Sequence, residues 1–354
     1  MKVPYDMTEK SPITEEMLVT WLQRHNIKSA EELWKTVKNG SRVILLSALA
    51  IVSLGPVVQA QEKPESITFK TGSSGGSWYP VGAGLTRIFD KYNIRTNVEE
   101  GGGNANVVNI SRGEGDIGFT YSVTLDYAAQ GKKPFEQEYT NLRGLATLYT
   151  NVMQTVVRAD AGVDTYADLK GKPFAAQTQG NAATTILEQL LHIYGVNGHD
   201  ELNVVIRGGP AQGAAALKDR RAVGFHSVTT VPNAAMAETA ASVPIKLLPV
   251  SEEALSKMKE TNDGYVAVTI PAGTYQGVNE DVASFGSALV LFANDEMPDD
   301  TAYWFVRILA ENLDEVKAIH KSMSGLTKKQ LADIAGLPVH PGALRYYQEA
   351  GLLQ

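Results

Sequence analysis

From Gln61 onward, short apolar runs of strand length alternate with longer stretches whose apolar residues recur every three or four positions. The first kind predicts strands at 66–71, 95–99, 115–120, 143–147, 152–158, 173–177, 203–206, 222–226, 245–248 and 265–270. The second kind predicts helices at 80–92, 104–112, 122–129, 165–169, 182–194, 210–218, 230–240, 251–258, 299–312, 314–322, 327–333 and 341–350. Alternation of the two element types points to an α/β fold. No low-complexity segment and no heptad run interrupts it.

Two strands run into polar, glycine-bearing turns that open helices. The first turn is Thr71-Gly72-Ser73-Ser74-Gly75-Gly76-Ser77-Trp78-Tyr79, and the second is Gln177-Thr178-Gln179-Gly180-Asn181. A helix start leaves backbone N–H groups unpaired and carries about half a positive charge. Glycine lets a ligand approach that backbone, so each turn is a candidate anion site. Two such turns on two lobes would grip one small carboxylate between them.

A weak internal repeat supports two lobes. Val107–Phe119 and Ala214–Phe225 each read as helix, polar turn, then a strand that ends in Gly-Phe. In open α/β sheets, ligands sit beyond the carboxyl ends of the strands. Residues just past the Gly-Phe pairs are therefore expected to face the cleft: Thr120, Tyr121 and Ser122 in one half, His226, Ser227 and Thr229 in the other.

Composition narrows the possibilities. The chain has 354 residues, enough for two domains, and a net charge of -7, which disfavours a nucleic-acid partner. It has no cysteine, so disulfides, thiolate metal sites and a cysteine nucleophile are excluded. The six histidines show no metal-ligand spacing, and neither turn carries the dinucleotide fingerprint, so no metal or cofactor is expected.

Lys35, Lys38 and Arg42 precede the apolar run Val43–Leu54, and Val58-Gln59-Ala60 has the small residues of a signal-peptidase site. That layout predicts export to the periplasm, with cleavage after Ala60. The polar leader at 1–36, with helices expected at 15–24 and 30–37, is unusually long for a signal. It suggests that natural initiation lies near Val37.

One catalytic reading competes. Gly72-Ser73-Ser74-Gly75-Gly76 matches a nucleophile elbow, making a secreted serine hydrolase using Ser74 the alternative. Its histidine would have to come from His320 or His340, neither in a triad-like context. A ligand sensor for a membrane kinase is a third reading, which the sequence does not separate from a transport receptor.

Several runs together carry a family resemblance: Gly72–Gly82, Gly101-Gly102-Gly103-Asn104, Gly115–Phe119, Asp164–Lys172, Thr269–Tyr275 and His340–Tyr347. Over about residues 66–350 the chain resembles the TAXI solute receptors, the extracytoplasmic binding proteins of one branch of the TRAP transporters. The resemblance implies a two-lobed, hinged periplasmic binding protein without enzymatic activity. Its lobe one would be 61–157 plus 258–354, and its lobe two 158–257. It also implies a small organic anion or amino acid as ligand, glutamate or glutamine among them, and delivery to an ion-driven membrane permease. Carried over by position, the ligand shell would draw on Ser74, Gly75, Gly76, Trp78, Tyr79, Asn104, Tyr121, Ser122, Thr178, Gly180, Asn181 and Ala182. His226 and Ser227 join from the cleft argument above. Thr178–Ala182 departs from the family's usual Pro-Gly-Ser-Gly-Thr, which places an amide at Asn181 in place of a hydroxyl.

Overall fold

The alternation at Ile67 and Phe69 becomes a central strand. In the computed structural model, which describes residues 62–354 apart from 74–75 and 335–336, β1 (Ser66–Lys70) buries both side chains. It pairs in parallel with β2 (Arg95–Glu99) and β3 (Ile117–Tyr121). The leader helices, the apolar run and the cleavage site expected upstream of Glu62 lie outside the described residues.

Crossovers are made by α1 (Trp78–Asp90) and α2 (Gly103–Ser111), and α3 (Ser122–Ala129) follows β3 directly. α1 buries Trp78, Val81, Leu85 and Ile88, a spacing of three and four that makes one continuous apolar stripe. That stripe meets the sheet around Phe69, whose ring lies edge-on to Phe89 and Phe119. Phe89 in turn stacks on Phe305 at 5.3 Å, which brings in α8 (Asp299–Glu311) as the outer layer.

The same plan recurs in the second half. β5 (Pro173–Ala176) pairs in parallel with β6 (Asn203–Arg207) and β7 (Gly224–Thr229), connected through α4 (Ala182–Ile193) and α5 (Pro210–Lys218). The expected repeat of strand, turn, helix, strand, helix and Gly-Phe strand is therefore present in three dimensions. Close packing fixes both glycines of the Gly-Phe pairs. A Cβ on Gly118 would lie 2.5 Å from the Phe292 ring, and one on Gly224 would lie 2.6 Å from the Val156 carbonyl.

Two long antiparallel strands, β4 (Leu142–Arg158) and β10 (Val282–Asn294), separate the parallel triads in the order β2-β1-β3-β10-β4-β7-β5-β6. β4 pairs with β10 from Leu142 to Val152, then with β7 from Val152 to Val157. β10 pairs with β9 (Val266–Ile270) through Val282–Gly286, then with β3 through Leu289–Phe292. Both strands change partners at the facing pair Val152 and Gly286. A Cβ on Gly286 would meet the Asn151 carbonyl at 2.5 Å, so no larger residue fits where the strands cross. A short strand, β8 (Ile245–Leu247), adds to the far end of β4.

Several sequence expectations need correction here. The strands expected at 143–147 and 152–158 are one strand, because the polar pair Thr150-Asn151 continues it instead of ending it. No strand was expected at 282–294, where Ser284, Gly286 and Ser287 break the apolar pattern; those small residues are what the crossing requires. The helix expected at 230–240 begins later, as α6 (Ala234–Ser242), because Asn233 caps it by accepting from the Met236 amide. α7 (Glu252–Thr261), α9 (Leu313–Ile319), α10 (Lys328–Ala332) and α11 (Pro341–Glu349) follow near their expected places. α9 stops at Ile319, ahead of a separate 3-10 turn at Lys321–Met323. Among the described residues no helix is long and apolar enough to cross a membrane.

Candidate functional site

The repeated βαβ plan aims helix starts from both halves at one place. A cavity of about 30 Å³ is lined by Ser77 and Trp78 at the start of α1, Gly102 at α2, Tyr121 at α3, Asn181 at α4 and Pro210 at α5. Gly72, Ser73, Gly76, Gln177, Ser227, Val228 and Thr229 complete the wall. At α1, α2, α3 and α5 no side chain caps the first turn; only α4 is capped, by Asn181 accepting from the Ala183 amide. Each exposed helix start favours a negative charge by about 0.3–2 kcal/mol, most where it is partly buried. Helix starts and neutral donors gathered in this way suit a negative charge.

The crossing strand β4 braces the lining from behind. Tyr149 donates to Ser77 Oγ at 3.2 Å, and Ser77 Oγ lies 3.3 Å from Thr229 Oγ1. Asn151 Oδ1 accepts from Trp78 Nε1 at 3.2 Å, which fixes the indole against the cavity. Burial holds the Tyr149 and Tyr121 hydroxyls well above the usual phenol range, so both stay neutral donors. Asn106 Nδ2 reaches the carbonyls of Lys70, Thr71 and Phe119 at 2.7–3.0 Å, while its Oδ1 accepts from the Gly102 amide at 3.3 Å. One buried amide thus ties the ends of β1 and β3 to the start of α2.

Direct contacts close the cleft between the halves. The Ala105 amide donates to the Gly180 carbonyl at 3.1 Å, Asn104 Nδ2 donates to Thr185 Oγ1 at 3.0 Å, and the Tyr121 hydroxyl donates to the Val228 carbonyl at 2.7 Å. Gly102 and Gly103 permit this approach. A Cβ on Gly102 would lie 3.0 Å from the Gly180 carbonyl, and one on Gly103 would lie 2.7 Å from the Ala182 methyl.

Of the residues expected in the ligand shell, Gly76, Trp78, Tyr121, Asn181 and Ser227 line the cavity together. Ser74 and Gly75 lie outside the described residues. Asn104, Gly180 and Asn181 line an outer groove at the seam, about 490 Å³, which also holds Phe135, Glu188 and Arg207. Ala182 packs on Gly103, Thr178 is exposed on the turn, and Tyr79 is 38% exposed. Ser122 Oγ lies 3.0 Å from Ser287 Oγ, bracing α3 against β10. His226 is fully buried, its ring edge-on to Phe174 and near His199, and its carbonyl accepts from Gln177 Nε2 at 2.6 Å. It reaches the cavity only through Gln177.

The expected shell did not include Tyr149, Asn151, Asn106 or Pro210. The first two sit in a strand that looked interrupted. Asn106 is two residues past the flagged Asn104, with the same amide chemistry and a single local signal for both. Pro210 is a helix-start proline whose position at N1 was readable from Gly209-Pro210.

A family model described as the NMT1-like family matches residues 69–351. The chain belongs to the NMT1-like family. Similar solved structures include the periplasmic aliphatic sulphonate binding protein SsuA from Escherichia coli, 15% identical over 81% of this chain and 83% of that one, TM-score 0.44. Another is the alkanesulfonate-binding protein SsuA from Xanthomonas axonopodis pv. citri bound to MOPS, 17% identical over 81% and 84%, TM-score 0.45. A putative L-cystine ABC transporter from Listeria monocytogenes is 14% identical over 74% and 97%, TM-score 0.46.

Proposed function

We propose that this chain is a periplasmic solute-binding receptor that closes on a small carboxylate or amino acid and hands it to a membrane transporter component. The observation that carries the reading is the convergence of five helix starts, from both halves, on one cavity. The two halves act as lobes. The strand pairings support dividing them at Val152 and Gly286 instead of at 157 and 258. The crossing strands β4 and β10 serve as the hinge, and the closed form is what the transporter recognises. The motif runs that resemble TAXI receptors favour a TRAP-type permease as that component, and the apolar run at 43–54 favours export with cleavage after Ala60.

The hydrolase reading draws no support from the histidines it needs. His320 Nδ1 accepts from the Ser322 amide at 3.1 Å, and His340 Nδ1 accepts from the Gly342 amide at 3.2 Å. A triad histidine must donate from that nitrogen to a carboxylate.

Thermal melting of the purified protein against a panel of carboxylates and amino acids tests the receptor reading. A solute at a hundred times its dissociation constant adds about 2.7 kcal/mol of stability. No shift with any member, together with no small molecule retained in native mass spectrometry, refutes it.

A further inference from the structure

The run Thr269–Tyr275 lines neither the cavity nor the outer groove, yet it ends in a buried tyrosine with two polar partners. Tyr275 sits in the connection between β9 and β10, its ring in an apolar cluster that holds Ile270, Val278 and Val282. Its hydroxyl donates to Gln154 Oε1 at 2.5 Å and accepts from the Asn233 amide at 2.8 Å. Burial pushes its pKa up to about 12, so the hydroxyl keeps the proton that it donates.

Those two partners hold one stretch of chain, the exit of β7. Gln154 Nε2 donates to the Thr230 carbonyl at 3.0 Å. Asn233 caps α6 through its Oδ1, and its Nδ2 lies 3.4 Å from Thr229 Oγ1. Gln154, Thr229, Thr230 and Asn233 are all buried, so a lost partner here is not replaced by water. The stretch is fixed from two sides, by β4 through Gln154 and by the β9–β10 connection through Tyr275.

The same stretch carries the second half's share of the contacts that close the cleft. The Val228 carbonyl accepts from the Tyr121 hydroxyl at 2.7 Å, and Thr229 Oγ1 lies 3.3 Å from Ser77 Oγ. Tyr121 and Ser77 belong to the first half, and neither is a hydrogen-bond partner of the Tyr275 hydroxyl. Whatever Tyr275 does to closure, it does through Gln154 and the backbone at Asn233.

We infer that Tyr275 is a positioning residue for cleft closure: its hydroxyl sets the exit of β7 so that Val228 and Thr229 meet Tyr121 and Ser77. The inference rests on the receptor reading and gives a residue outside the cavity a part in its closing.

Hydrogen exchange at the Ala105 amide, followed by NMR on the full chain, tests it without any solute. That amide lies in the first turn of α2, has no partner within its helix and donates across the cleft to the Gly180 carbonyl at 3.1 Å. Its protection therefore reports closure. Tyr275→Phe keeps the packed ring and removes the hydroxyl. It is expected to lower the protection of Ala105 by about tenfold while the amides of β1 and β3 keep theirs. Gln154→Met, which removes the acceptor and the bond to Thr230, should lower it at least as much. Tyr347→Phe is the control. Its hydroxyl donates to the Leu145 carbonyl at 2.7 Å within the first half, so losing that buried bond should leave Ala105 unchanged. Protection of Ala105 within about twofold of the unaltered chain in Tyr275→Phe overturns the inference, as does an equal loss in Tyr347→Phe. Either result leaves the receptor reading standing, since that reading fails separately, on an empty solute panel and nothing retained in native mass spectrometry.

Discussion

Tyr149 and Ser77 are joined by a 3.2 Å hydrogen bond that runs from the crossing strand to the N-cap of α1. Ser77 has a helical backbone and makes no capping bond; its Oγ meets Tyr149 and Thr229 instead, and no side chain caps the first turn of α1. A residue of the crossing strand β4 therefore helps to shape one helix start at the cavity. Removing the hydroxyl with Tyr149→Phe keeps the ring, which stacks on His320 at 6.1 Å. The loss in unfolding free energy should be about 0.5–1.5 kcal/mol, as for one hydrogen bond. Solute affinity should fall several-fold, because the cavity-lining Ser77 Oγ loses the donor that fixes its position. Urea denaturation and titration calorimetry measure the two effects, and an unchanged affinity would refute the coupling.

Gly102 gives a cleaner handle on closure. Its φ of -162 and ψ of 145 suit any residue, and valine more than most. The atoms that a Cβ there would meet are Gly180 O at 3.0 Å and Asn181 Cα at 3.1 Å, both in the turn before α4. Gly102→Val should leave the unfolding free energy without solute within about 0.5 kcal/mol. Solute affinity should drop at least about tenfold, and small-angle scattering should show an expanded particle that solute no longer compacts. A variant that closes normally would mean that the Gly102–Gly180 approach does not limit closure.

How much of this was legible follows from which signals are local. The Gly-Phe repeat, the serine-rich turn before Trp78 and the triple glycine before Asn104 are local, and each led to an element or a cavity wall. β10 was not legible, because Ser284, Gly286 and Ser287 are small for the sake of a partner strand more than a hundred residues away. His226 shows the opposite failure. Its place after Gly224-Phe225 was read as a strand end, but β7 begins at Gly224 and runs to Thr229; within it the His226 ring lies toward Phe174, and Ser227 lines the cavity instead. Sequence position located the layer, and only the three-dimensional pairing fixed the face.

Asn106 should matter more to folding than its polarity suggests. It is fully buried and serves three carbonyls and one amide from three different elements. Asn106→Leu keeps the approximate volume and leaves those backbone groups without a partner. Unsatisfied buried groups cost about 1–3 kcal/mol each where water cannot reach them, so a loss near 3 kcal/mol is expected. Equilibrium denaturation checks it, and a loss below about 1 kcal/mol would show that the β1, β3 and α2 ends hold together without this amide.

The buried ring of His226 sets an acid limit on stability. Burial, helped by nearby His199, lowers its pKa to about 3, from an ordinary value near 6.5. The unfolded chain thus binds a proton between those values that the folded chain refuses. Stability from this group is fully present above about pH 6.5 and is lost as pH falls toward 3, with a slope of up to about 1.4 kcal/mol per pH unit. Glu188 acts in the same direction at lower pH, since its hydrogen bond to His199 at 2.8 Å holds its carboxyl below the usual range. His226→Leu should therefore flatten the stability profile between about pH 6 and 4.5 by nearly one proton's worth, leaving the Glu188 contribution at its acid end. Urea midpoints measured across that window give the slope directly. An unchanged slope in the variant would assign the acid sensitivity to other groups.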